Sequence, residues 1–403
     1  MSNMKRTNGT SPLAKAAALA VAVAALASGQ QANAGPREQA HRMYQRLTGT
    51  APSELLLNDL ETQVTNRGLA GAAAYMMDPT LAHSKNFYTV TLKNFATPWT
   101  NRDQSIFAPL NDYTATVIGL VKDDEDFRTV LFDDVVYIGN GAGVPAYSPT
   151  SNAHYEALES NNVDLRGLTR TTQSSLNGLP PAATAGIITS RAASEAFFID
   201  GTNRAMFRFT LINHMCRDME QIHDTSRPPD RIRQDVSRSP GGDSSVFNNN
   251  CIGCHSVMDS MAQAFAYYDF DETAGRLVYT QGQVQPKYLI NSDNFKPGYV
   301  TPDDAWENRM RLDGKNDFHV LGWDPNLPNR GNGAKSLGQE FAYSTAFAEC
   351  QTEKVFRKLC FRGPTTTELA SGGVVDGIVA TFKNSGGSLR SVFAQVAAQC
   401  AGQ

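Results

Sequence analysis

The sequence predicts a mainly α protein, built as multi-helix modules joined by long irregular loops. Apolar residues recur at helical spacing in the N-terminal part and again at the C-terminal end. Between them lie stretches rich in Gly, Pro, Asn, Ser and Thr that carry little helical signal. The third observation is Cys251-Ile252-Gly253-Cys254-His255, which opens a helical pattern continued by Met258, Met261 and Phe265.

The first element is a leader. Lys5, Arg6 and Lys15 make a positive n-region, the run from Ala16 to Ser28 is apolar, and Ala32-Asn33-Ala34 is a small-residue cleavage site. Residues 1–34 are expected to be a secretory signal peptide, which places the mature protein in the periplasm, outside the cell or at its surface. No later segment reaches the roughly 18 apolar residues of a transmembrane helix, so no transmembrane segment is expected after cleavage. The chain has 36 Lys+Arg against 40 Asp+Glu, and losing the leader's three cations moves its formal charge from −4 to −7. Such a chain has no general affinity for nucleic acid or anionic lipid.

Beyond the leader, residues 35–240 read as a helical N-terminal region, 241–343 as the region around the motif, and 344–403 as a C-terminal three-helix module. A chain of this length is expected to divide in this way. In the first region, Ala40, Met43, Tyr44 and Leu47 share one helical face that stops at Gly49. A second helix starts at Pro52-Ser53 with Leu56, Leu60 and Val64 at helical spacing, and further helices are expected at 69–77, 105–121 and 185–199. Residues 139–183 read as a long irregular excursion. Its opening Gly139-Asn140-Gly141-Ala142-Gly143 reads as a turn, because a dinucleotide loop would have glycine where Val144 stands and a helix where Pro145 follows.

A strong helix is expected from Asn203 to Met219, with the stripe Ala205, Phe209, Ile212, Cys216 and Met219 facing inward and His214 nearly opposite. A Pro-, Arg- and Gly-rich connector follows and leads into the motif. Asp269, Asp271 and Glu272 resemble a calcium loop only superficially, since Ala274 occupies the glycine position, and they read as a helix end. Residues 270–340 give few helical signals. The chain then closes with helices expected at 344–359, 366–382 and 388–399.

The motif points to haem c. Two thiols add across the two vinyl groups and a histidine meets the iron from the same side, which assigns Cys251 and Cys254 to the covalent thioethers and His255 to the proximal iron position. Zinc would need two further ligands at a partner spacing, and a thioredoxin-like dithiol would want a βαβ context; neither is present. Met258 and Met261 fall on the side of His255 and read as packing. Met310 and His319 are the downstream candidates for the distal iron position, His214 and Met215 the upstream ones, and an open, water-ligated iron is the alternative. Among the arginines before the motif, Arg233 and Arg238 are candidates for the haem propionates, set against a plain solvated linker.

Cys216, Cys350, Cys360 and Cys400 remain, an even set in a disulfide-permissive compartment. Cys350 and Cys360 lie on one expected helix, about 15 Å apart at 1.5 Å per residue, beyond the roughly 7 Å that a disulfide spans. An up-down-up arrangement brings Cys360 and Cys400 to one end and leaves Cys216 for Cys350. The swapped pairing is the alternative.

The order of features resembles the planctomycete-type cytochrome c proteins, multi-module proteins with one CxxCH site. AHRMYQRLTGTAPSE is similar to their opening helix and turn, and DFRTVLFDDVVYIGNG to the strand-like segment before their long loop. NRAMFRFTLINHMC through CIGCHSVMDSMAQAFAYYDFDETAGRL resembles their haem-bearing domain, and STAFAECQTEKVFRKLCFRGPTTTEL their closing domain. Two departures stand out: Asp259 is followed by Ser260-Met261-Ala262 where a Pro-Leu-Gly-like run is common, and the insertion at 280–335 is long. The resemblance implies helical modules with long loops around a cytochrome-c-like haem segment, with one covalent haem, and does not name a reaction. The reading carried forward is an exported monohaem c-type cytochrome that transfers electrons between extracytoplasmic redox proteins. The alternatives are a haem c oxidoreductase with an open distal site and a substrate pocket, and a surface or complex-forming protein with an accessory haem. About 100 residues suffice for a minimal haem c carrier, so the remaining chain implies a docking or catalytic surface, and a single motif argues against the dihaem peroxidase plan, which needs two.

Overall fold

The computed structural model describes residues 34–289, 298–314 and 321–402. The expected signal peptide and His319 lie outside the described residues, except for Ala34. Helix accounts for 58% of the structure and strand for 7%, so the fold is mainly α. Among the described residues no helix is long and apolar enough to cross a membrane.

The principal helices are α1 (Pro36–Thr48), α2 (Glu54–Met76), α3 (Asp112–Asp123), α4 (Ala153–Ser160), α5 (Arg191–Phe197), α6 (Arg204–Met215), α7 (Ile252–Ala262), α8 (Gly333–Ala342), α9 (Thr345–Cys360), α10 (Val374–Asn384) and α11 (Leu389–Cys400). Three two-stranded antiparallel ribbons accompany them: β1 (Val136–Ile138) with β2 (Thr169–Thr171), β3 (Tyr268–Asp271) with β4 (Arg276–Tyr279), and β5 (Ala305–Glu307) with β6 (Arg330–Asn332). One apolar cluster runs from Ala40 to Ala401 and draws on all three expected regions. The two ends of the chain meet in it: α11 packs on α2, and Arg46 of α1 donates to the Cys400 carbonyl at 2.6 Å.

Local chemistry sets where the helices start and stop. α1 buries Ala40, Met43, Tyr44 and Leu47, the expected face, and ends on Gly49 at φ 73°. Ser53 caps α2, which merges the two helices expected there and bends at Gly68, φ 69°. α3 starts later than its apolar pattern suggests, because the Asn111 side chain accepts from the Thr114 amide and fixes the N-terminus. The expected 185–199 helix is a 3-10 turn, Gly186–Thr189, followed by α5 under a Ser190 cap. The 366–382 helix is likewise split, into Thr366–Leu369 and α10.

The 139–183 excursion is more ordered than its composition suggests. It contains α4, returns β2 to pair with β1, and is pinned by His154, whose Nδ1 lies 2.7 Å from the Pro145 carbonyl while Nε2 accepts from the Gly139 amide at 3.2 Å. The segment expected as a helix end at Asp269–Glu272 is instead the β3–β4 hairpin. Tyr268 and Phe270 face inward, and the turn closes on Gly275 at φ 66°.

α6 also corrects an expectation. It stops at Met215, and Cys216 adopts a left-handed conformation, φ 51°. Ala205, Phe209, Ile212 and Cys216 lie at a half-buried edge, and the buried face is Met206, Phe207, Thr210, Leu211, Asn213, His214 and Met215. The polar side chains that turn inward there find partners: Thr210 donates to the Met206 carbonyl of its own helix at 2.7 Å, Asn213 donates to the Trp99 carbonyl at 3.0 Å, and His214 Nε2 lies 2.8 Å from the Tyr113 hydroxyl.

Candidate functional site

The motif is presented by an almost continuous helical run. Asp243 caps the turn Ser244–Val246, a wide π-type turn covers Phe247–Cys251, and α7 follows. Such wide turns recur at functional sites. Residues three and four apart share a helix face, so Cys251, Cys254, His255 and Asp259 form one stripe.

Four cysteines are engaged as Cys216–Cys350 and Cys360–Cys400, with Cα atoms 5.2 and 5.6 Å apart. Cys251 and Cys254 are the free pair, each half-buried. Cys251 packs with Ile252 against Ile232, Val236 and Phe247. The Cys254 sulfur lies 3.6 Å from the Met219 carbonyl. Burial, and then the nearby Glu220 and Asp218 carboxylates, push its thiol pKa up, opposite to what an activated thiolate needs. No group of three His, Cys, Asp or Glu side chains converges as a metal-ion donor set among the described residues. Cys251 and Cys254 are thus two free, half-buried thiols beside a histidine. Gly253 between them has a close neighbour: a Cβ there would fall 2.8 Å from His223, and its carbonyl accepts from the Asp224 amide at 3.2 Å.

Behind His255 stands a charged cluster. The His255 side chain is 20% exposed and Asp259 is fully buried. Its Nδ1 lies 3.1 and 3.2 Å from the two Asp259 oxygens. Arg204 donates from Nε and Nη2 to the same carboxylate at 2.8 and 3.0 Å, and from Nη1 and Nη2 to Asp235 at 2.7 and 2.9 Å. The Arg233 amide is 3.4 Å from Asp259. Burial alone would raise the Asp259 carboxyl, but the charges of Arg204 and His255 outweigh it and hold the carboxyl far below the usual range. Burial would likewise lower the Arg204 pKa, and its two carboxylates more than compensate.

The proposed propionate arginines are folded against the protein. Arg233 is buried, stacks over Tyr288 at 4.0 Å and donates from Nη2 to the Tyr288 carbonyl at 2.6 Å; its Nε and Nη1 have no hydrogen-bond partner among the described residues. Arg238 lies over Phe247 and donates to the carbonyls of Val236 and Ile232. Burial lowers both guanidinium pKa values. Met258 and Met261 are buried in the main core. Met310 is also fully buried there, on the segment Arg309–Gly314 that packs against α7. The upstream candidate His214 is committed to Tyr113 within a cage of Trp99 and Phe347.

Comparison of the chain with protein-family models, with curated proteins and with solved structures finds no match. The Asp259–Arg204–Asp235 chain behind His255 was missed in the sequence reading. Its only local signal is the aspartate four residues after the histidine.

Proposed function

We propose that the protein is an exported monohaem c-type cytochrome that passes electrons between extracytoplasmic redox proteins. The observation that carries this reading is the donor set itself: the two cysteines outside the disulfides stand beside a histidine whose Nδ1 is already taken by a carboxylate. The second nitrogen, Nε2, is thereby left as the metal-facing atom. Cys251 and Cys254 fit the two thioether positions and His255 the proximal one. Haem c bound there would supply a one-electron carrier. The chain's own part is to engage His255 Nδ1 with Asp259, to seat Cys251 in an apolar patch, and to keep both thiols half-buried beside the imidazole. Arg233, whose Nε also faces Asp235 at 3.8 Å, is a propionate candidate, and Met310 is the described candidate for the distal position. Two disulfides suit the oxidising compartment in which thioethers form. The resemblance to the planctomycete-type cytochrome c proteins supports the same reading.

The test is expression of the full chain with a haem c maturation system, followed by intact mass and the pyridine haemochrome spectrum. One covalent haem is expected, and its complete loss in the Cys251→Ala, Cys254→Ala double variant. No haem on the unsubstituted chain would sink the proposal. Ready carbon monoxide binding by the reduced protein would replace the electron carrier with a haem enzyme that has an open site.

A further inference from the structure

A carboxylate with no exposed surface, facing a histidine and sharing one guanidinium with a second carboxylate, is a costly arrangement. Buried ion pairs seldom stabilise more than the apolar residues that would replace them. This one is aimed at a single atom. Both oxygens of Asp259 lie at nearly equal distance from His255 Nδ1, 3.1 and 3.2 Å. An ionised carboxylate only accepts hydrogen bonds, so Nδ1 donates to Asp259 and Nε2 is the ring nitrogen left to face a ligand.

We propose that Asp259 is a positioning residue for His255, making Nε2 an electron-rich iron ligand, and that Arg204 sets how much of the carboxylate's charge the imidazole receives. This rests on the haem reading above. A carboxylate on the far nitrogen of a ligating histidine raises the basicity of the near one. Arg204 opposes that effect, because its Nε and Nη2 draw on the same two oxygens at 2.8 and 3.0 Å. Asp235 in turn holds two nitrogens of Arg204 at 2.7 and 2.9 Å, which limits what the guanidinium gives to Asp259. The three residues form a graded series reaching away from the imidazole, with alternating sign.

That alternation is the test. The reduction potential of the full-length haem protein is measured for the unsubstituted chain and for Asp259→Asn, Arg204→Gln and Asp235→Asn. Asp259→Asn keeps an acceptor for Nδ1–H and removes the charge. It is expected to shift the equilibrium about tenfold toward the reduced form, ~59 mV for a one-electron couple. Arg204→Gln is expected to move the potential the other way, Asp235→Asn upward by less than Asp259→Asn, and Asp259→Glu is expected to recover part of the original value. A generally loosened structure would not produce shifts of opposite sign. If Asp259→Asn fails to fold, Arg204→Gln carries the test: a downward shift supports the inference, and an unmoved or raised potential overturns it. Covalent haem with an unmoved potential in Asp259→Asn overturns this inference alone. Absence of covalent haem on the unsubstituted chain overturns both readings, and the mass spectrum tells the two failures apart.

Discussion

Two histidines, one at the end of α6 and one at the start of α7, show how a single side chain is set to opposite purposes. His214 is fully buried, takes the Tyr113 hydroxyl on Nε2 and leaves Nδ1 without a partner among the described residues. Burial, with the Lys354 charge adding to it, pushes its pKa well below 6.5, so it is a neutral core group. His255 is part-exposed, with a carboxylate on Nδ1 and Nε2 left for a ligand. The difference lies in what each neighbourhood supplies: aromatic rings and a lysine around one, compensated carboxylates around the other. A histidine's role is fixed by the partner of its second nitrogen, and that partner comes from the tertiary fold as often as from the sequence beside it.

The largest effects expected on this comparison come from the disulfides. Cys216 follows His214 by one turn fragment and ties the end of α6 to α9 across a separation of 134 residues, while Cys360–Cys400 spans 40. In the chain-entropy description their removal costs about 5 and about 4 kcal/mol, with measured losses for native disulfides of about 2–5. Urea unfolding of Cys216→Ala, Cys350→Ala is expected to show the larger loss, and the haem attachment proposed for Cys251 and Cys254 is expected to be the same as in the unsubstituted chain. If attachment fails in a folded sample of this variant, the two histidine regions are coupled and the contrast drawn above does not hold.

A smaller effect concerns acid. His214 binds a proton below its ordinary pKa of 6.5 when unfolded but not when buried. The unfolded state therefore binds more protons in that window, and stability rises with pH through it and is lost as pH falls below 6.5, by at most ~1.4 kcal/mol per pH unit for one proton. His214→Gln should flatten this slope between pH 6.5 and 4.5 and cost about 1–3 kcal/mol at neutral pH through the lost Tyr113 bond. An unchanged slope in the variant would mean that another group drives the acid response.

The sequence makes one of these two regions much more legible than the other, for a physical reason. Cys251, Cys254 and His255 stand within five consecutive residues, and Cys254, Met258, Met261 and Phe265 repeat at helical spacing, so both the motif and α7 are readable locally. Asp259 lies on the same stripe, but Arg204 reaches it from 55 residues upstream and Asp235 pairs with Arg204 across 31, and a long-range ion pair leaves no periodic trace. On α6, apolar periodicity selects Ala205, Phe209 and Ile212, whereas the core face includes Thr210, Asn213 and His214. Asn213 and His214 are satisfied by Trp99 and Tyr113, which the period of α6 does not encode. The β3–β4 hairpin did carry a local signal, alternation in Tyr268-Asp269-Phe270-Asp271, that a helical reading passes over.

The smallest expected effect is at Gly253, where two opposing contributions are of similar size. Gly253 has ordinary helical backbone inside α7, so alanine would gain about 1 kcal/mol of helix propensity. The added Cβ would meet the His223 ring at 2.8 Å and the Asp224 amide and Thr225 methyl at 3.3 Å, which requires the 223–225 loop to yield by a few tenths of an ångström. Overpacking in a rigid core costs about 1–3 kcal/mol, but the first contact is a side-chain ring on an exposed residue rather than in the core. The net change in unfolding free energy for Gly253→Ala is therefore expected to stay within about 1 kcal/mol, with covalent haem attachment intact. A loss above about 3 kcal/mol in urea titration would show that the loop is as rigid as the cage around His214, and would move the motif from the adaptable side of the comparison to the fixed one.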